Sequence, residues 1–191
     1  MRTEENGTSK KILDAALRLI SKHGYAGVSM RDIAREAGVA ISQISYYYRN
    51  KEGLFIALVR SVREALKRDF TEKMKELSPS DRFIDFLCDY AKNSIENDTD
   101  IHRLRLEFSN LAAGSELFGA EFGSLLEDLS AIIAGYIEKL APQLEITKTS
   151  PPRQTARFII IFILGVSSQY LIEGRDPKTL ELIDTLKSVV K

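Results

Sequence analysis

Apolar side chains recur at three- and four-residue intervals along most of the chain, and runs that alternate apolar with polar are nearly absent, so the pattern predicts helices throughout and no sheet. The Asn6-Gly7 pair, a hairpin signal elsewhere, precedes any apolar pattern. The first helix is expected to open at Thr8 or Ser9 and to carry Ile12, Leu13, Ala16, Leu17 and Ile20 on one stripe. Gly24 marks its end. Ser29, with an acid at Asp32, has the form of a capping box and starts a short second helix that runs through Ala37 to a break at Gly38. A third short helix is expected from Ala40 to Tyr46. A fourth begins at Asn50 or Lys51 and places Leu54, Leu58, Val62 and Leu66 on one face.

Further breaks are expected at Leu77-Ser-Pro-Ser80 with a new start at Asp81, at Asn97 to Asp100, at Gly114-Ser115, from Ala141-Pro142 through Pro151-Pro152, and at Gly174 to Pro177. These punctuate an all-α chain of about nine helices. Gln154 to Ile172 is apolar almost all round and so requires burial on more than one side. The last helix presents Leu180, Leu182, Ile183, Leu186, Val189 and Val190. Two such helices either pack within one subunit or meet their counterparts in a second copy as a four-helix interface.

The segment from Met30 to Tyr48 has the requirements of a helix-turn-helix. Two helices that cross closely need a small residue at the crossing, a turn residue that tolerates positive φ, and an apolar underside. Ala34 is the small residue, Gly38 the turn, and Ile33, Ala37, Val39 and Ile44 the underside. Charge supports the same end of the molecule. The chain of 191 residues has no formal net charge, yet residues 1–51 hold nine Lys and Arg against five Asp and Glu. That surplus of four positive charges is balanced by an equal deficit in the remainder. A basic head on an acidic body suits one-ended binding to a polyanion, because phosphate contacts supply much of the affinity for DNA.

Composition removes several other classes. A single cysteine, Cys88, precludes an intrachain disulfide and a thiolate zinc site, which fits a reducing cytoplasm. The first residues lack an apolar signal core, and the longest apolar run, Phe158 to Val166, is well short of the ~20 residues of a membrane span. No nucleophile and base, Gly-rich phosphate loop or metal-ligand spacing is apparent, so no enzyme and no cofactor are expected. His102 near Asp98 and Asp100 lacks the spacing of a metal site, and His23 sits at a helix end.

Together with the first helix, Gly24-Tyr-Ala-Gly27, Ser29-Met-Arg-Asp-Ile-Ala34, Ala37-Gly-Val39 and Tyr47-Tyr-Arg-Asn-Lys-Glu-Gly-Leu54 resemble the TetR family of bacterial transcription regulators. The resemblance implies a DNA-binding domain over residues 1–51, continuing into the connecting helix, and a helical body over 52–191 that encloses a small-molecule pocket and forms a homodimer. It implies a repressor released from a palindromic operator by an effector; an effector-independent DNA-binding adaptor and an activator are the alternatives. One departure is Ser45, where the family usually has an aromatic residue after the position of Ile44.

Chemistry then assigns roles. Ala40, Ile41, Ser42, Gln43 and Tyr46, the outer face of the third helix, would read the major groove, with Gln43 on an adenine edge and Ile41 on a thymine methyl. Ser29, Arg31, Tyr47 and Lys51 would hold phosphates, helped by the amino end of the fourth helix. Tyr48 suits the core. Phe83, Phe86, Leu87, Tyr90, His102, Leu106, Phe118 and Phe122 are candidate walls for an apolar or amphipathic effector, and equally the ordinary material of a helical core.

Overall fold

The computed structural model describes residues 2–75, 83–140, 146 and 149–190, without the side chains of 2–6 and 140. Among the described residues the regular structure is helical: α1 (Arg2–His23), α2 (Met30–Ala37), α3 (Ile41–Tyr48), α4 (Lys51–Lys75), α5 (Phe83–Asn97), α6 (Thr99–Gly114), α7 (Glu116–Leu140), α8 (Pro152–Ile172) and α9 (Pro177–Glu181), followed by a 3₁₀ turn (Leu182–Thr185) and α10 (Leu186–Val189). The breaks expected at Gly24, Gly38, Asn97 to Asp100, Gly114-Ser115 and Gly174 to Pro177 separate these elements. The break at Leu77 to Ser80, the start at Asp81 and the break at Ala141-Pro142 lie outside the described residues.

Two local expectations need correction. The first helix begins at Arg2, so Thr8 and Ser9 lie inside it rather than at its cap. The final helix is not uniform. Its middle tightens into a 3₁₀ turn over Leu182–Thr185, a short variant that helices commonly use near their ends.

The chain forms two compact units. The first comprises residues 1–69 and 103–121. Its core takes Ile12, Ala15, Ala16 and Ile20 from α1, Ile33 and Ala34 from α2, Ile44 from α3, and Leu54, Phe55 and Leu58 from α4. From α6 and α7 come Phe108 and Phe118, whose rings meet Phe55 edge-on with centroids 5.6 and 5.8 Å away. Such edge-to-face pairs set the positive rim of one ring against the negative face of the next.

The second unit comprises residues 70–102 and 122–191. Its core joins Phe70 and Met74 from the end of α4 to Phe83, Leu87 and Ile95 of α5, Ile133 and Ile137 of α7, Ile159 and Val166 of α8, and Leu180, Ile183 and Leu186 near the end of the chain. By length and composition α8 could cross a membrane. Within this unit it instead buries Thr155, Ala156, Ile159, Ile160, Val166, Ser167 and Tyr170, the arrangement of a core helix. It leaves Phe158 44% and Ile161 54% exposed.

Candidate nucleic-acid interface

In the first unit, α2 is fixed at both ends by contacts within a few residues of sequence. The Ser29 amide donates to Asp32 Oδ2 at 3.0 Å, and the Asp32 amide donates to Ser29 Oγ at 3.2 Å, which completes the capping box. These bonds, the Ser29 hydroxyl first, hold the Asp32 carboxyl below its ordinary range, with the Arg35 guanidinium adding to the effect. At the other end Gly38 takes φ of 66°. The Val39 amide donates to Ala34 O at 3.0 Å and the Gly38 amide to Arg35 O at 3.3 Å, a Schellman closure that requires the left-handed residue at its turn.

The closure delivers the chain to α3, capped by Ala40. Ala40 has no side-chain oxygen to offer, and Gln43 supplies the local bond by accepting from the Ala40 amide through Oε1 at 3.1 Å. Gln43 thus helps start the helix, a role its sequence position did not announce. Its amide oxygen has a second lone pair and its Nε2 two donors, so it retains the means to pair with a base edge. Within α3 only Ile44 is buried, at 0% exposure. Ala40, Ile41, Ser42, Gln43 and Tyr46 all face outward, as do Ser29 and Arg31, with Tyr46 77% exposed.

The carboxyl end of α3 is tied down by tyrosines. Tyr46 and Tyr47 meet edge-on at 5.4 Å. Tyr47 and Tyr48 are half-buried. The Tyr48 hydroxyl satisfies itself on α1 by bonding to Ser9 Oγ at 2.7 Å, and burial raises its pKa above the ordinary phenol value. Asn50 then caps α4 by accepting from the Gly53 amide at 2.7 Å. A β-carbon at Gly53 would be driven into the Tyr48 carbonyl oxygen. Lys51, the first residue of α4, is partly buried and stands over the Tyr25 ring at 4.3 Å; burial lowers its pKa. Sequence reasoning named Ser9 as a cap of the first helix, Tyr25 as part of a motif and Asn50 as a start of the fourth helix, and gave none of them these contacts. Asn50 had a signal, an Asn immediately before a helix start; the first two lie far from their partners in sequence.

The eight candidate effector-wall residues divide between the units. Phe118 is buried in the first, where Leu106 is also placed, and the other six fall in the second. Phe83 and Leu87 are buried there, while Phe86 and Tyr90 are partly buried and stacked at 5.9 Å, with Phe70 edge-on to Tyr90 at 5.2 Å. Phe122 is partly buried. One ring nitrogen of His102 bonds to the buried Ser167 hydroxyl at 2.7 Å, and the other lies 3.3 Å from that of Ser94.

A profile of bacterial regulatory proteins of the tetR family matches residues 12–58, the span that holds these caps and turns. Over that span the chain is similar to the TetR family. The HTH-type transcriptional regulator RutR of Escherichia coli O157:H7 is 31% identical over 140 residues, 70% of this chain, and the chain spans 64% of that relative's length. Among solved structures, a TetR-family regulator from a Rhodococcus species is similar with a TM-score of 0.79 at 18% identity, covering 96% of this chain and 98% of its own. The regulator FadR of Bacillus subtilis, solved with stearoyl-CoA, matches with a TM-score of 0.73 at 18% identity, covering 95% and 96%. The TetR fold therefore extends over nearly the whole chain.

Proposed function

We propose that this chain is a TetR-family, sequence-specific DNA-binding regulator of transcription, not an enzyme, that acts in the cytoplasm as a homodimeric repressor. The observation that carries the reading is α3, an eight-residue helix with one buried side chain and capped neighbours on both sides. Isolated helices of that length are unstable in water, so its outward positions are free to serve a ligand only because the surrounding unit holds it in shape. Ile41, Ser42, Gln43 and Tyr46 would meet base edges, with Ala40 at the entry, and Ser29, Arg31, Tyr47 and Lys51 the phosphates. Residues 1–51 form the reading domain and 52–191 the sensing and dimerising body.

Support for the dimer comes from the apolar surface left exposed by Phe158 and Ile161 on α8 and by Leu182 and Val189 at the end of the chain. Facing pairs of these helices would join two heads on a palindromic operator. The effector reading draws on the aromatic walls of Phe86, Tyr90 and Phe122 with the His102 group as a polar end, which suits an apolar or amphipathic molecule. The stearoyl-CoA in the FadR structure is a ligand of that kind. Effector would favour a body conformation in which the heads no longer match successive major grooves, a population shift.

Operator selection from a random duplex library at near-physiological salt tests the reading. A palindromic site should be enriched, and Gln43→Ala should change the preferred bases while Lys51→Met weakens binding to all sequences alike. Enrichment of no site by the intact chain would overturn it. Ile161→Asp should yield a monomer by sedimentation; an unchanged dimer would remove α8 from the interface.

A further inference from the structure

The α1–α2 turn is gripped by a residue far away in sequence. Glu107 of α6 accepts from the Tyr25 amide through Oε2 at 3.2 Å. Its other oxygen packs against Gly24, which takes φ of 73°, so closely that a β-carbon at Gly24 would approach it to 3.1 Å. The carboxylate thus straddles the two residues that follow α1. Tyr25 is in turn seated on the aromatic cluster, its ring 4.8 Å from Phe55 and 6.2 Å from Phe118. On the same ring stands the Lys51 ammonium, 4.3 Å from the centroid. A cation over an aromatic face is held without an acid partner and keeps its charge available to another anion. Burial first, and then the charge of Glu52, raise the Tyr25 phenol above its ordinary pKa.

We propose that Glu107 is a positioning residue for DNA binding, its carboxylate fixing the Gly24-Tyr25 turn and, through the Tyr25 ring, the place of the Lys51 ammonium at the amino end of α4. The inference rests on the DNA-binding reading above and adds to it a residue of the sensing body's own sequence. Glu107 touches no DNA in this scheme; it acts by where it holds Tyr25. It also gives α6 a direct hold on the reading head.

Two readouts on the intact chain test this. In the free protein, the side-chain εCH₂ protons of Lys51, shielded by the Tyr25 ring, should move toward their unstructured shift in Glu107→Ala and stay in place in Glu107→Gln, which keeps the acceptor for the Tyr25 amide. Against the selected operator duplex, Glu107→Ala should weaken binding roughly tenfold, the size of one lost hydrogen bond to a charged group. It should also lower the salt slope by about one, whereas Glu107→Gln should restore most of the affinity. In a Lys51→Met background the Glu107→Ala effect should disappear, because both changes remove the same phosphate contact. Effects of Glu107→Ala and Lys51→Met that simply add, or a Lys51 signal unmoved by Glu107→Ala, would overturn the proposal while leaving the DNA-binding reading intact. An intact chain that selects no operator would instead sink that reading, and with it the purpose assigned to Glu107, even if the Lys51 signal moves.

Discussion

Eight-residue α3 buries one side chain, Ile44, whereas α8, of twenty-one residues, buries seven. Both leave large apolar residues in the open, Ile41 at 44% on α3 and Ile161 at 54% on α8. On α8 burial on several sides commits the sequence to packing, and the exposed remainder is a continuation of the same apolar surface. On α3 the helix is held from its ends, by the Schellman closure and Gln43 on one side and by the Tyr48 and Asn50 contacts on the other. A helix held by its ends can vary its face. One held by its face cannot.

That difference can be broken or sharpened by substitution. The largest effect is expected at the single anchor. Ile44→Ala should destabilise the first unit by about 2–5 kcal/mol, as large-to-small changes at fully buried sites do. Urea unfolding should show it, together with loss of operator binding. Ile159→Ala on α8, also at 0% exposure, should lower stability by a similar amount and leave the operator preference of the folded fraction unchanged; a shift in preferred bases there would erase the contrast. Gly38→Val comes next, at about 1–2 kcal/mol, because a β-branched residue must enter the left-handed region; a neutral result by thermal unfolding would show that the Schellman closure does not hold α3.

Acid should act more gently. The folded pKa of Asp32 lies below its unfolded value, so the stabilisation is complete above the ordinary Asp range and is lost as pH falls through the lowered folded value. The stability difference between the native chain and Asp32→Asn should therefore shrink between neutrality and about pH 3. A difference that grows in acid would contradict the capping-box account. Smallest of all, Ile41→Ala should change unfolding free energy by less than about 0.5 kcal/mol, as expected for a surface position, while altering which operators are selected.

The same contrast explains what the sequence disclosed. The caps of α2 and the turn at Gly38 were legible because each is decided by residues within five positions, and the buried role of Ile44 follows from helical spacing. The outward face of α3 could be inferred as what remained. Contacts that join distant parts of the chain left no local trace. Tyr25 and Glu107 are 82 residues apart, and neither belongs to a pattern that periodicity could detect. Phe118 looked like a possible effector wall on the apolar stripe of α7, yet its place beside Phe55 and Phe108 is a property of the assembled unit. The start of α1 was misjudged because Thr8 and Ser9 suit a cap, and nothing in a cap's chemistry forbids a helix from continuing through it.

Gly53 sets a limit on how this head could be redesigned. Ile41, Ser42 and Tyr46 stand clear of the core and form a set of positions that a combinatorial library could vary widely. At 53 the chain backs against the Tyr48 carbonyl with no room for a methyl group, so any other residue would pry the end of α3 from the start of α4. A library randomised at these three positions and at 53, and selected for any operator, should return many solutions at the three and glycine alone at 53. The repertoire of the head would then be broad in letters and fixed in posture.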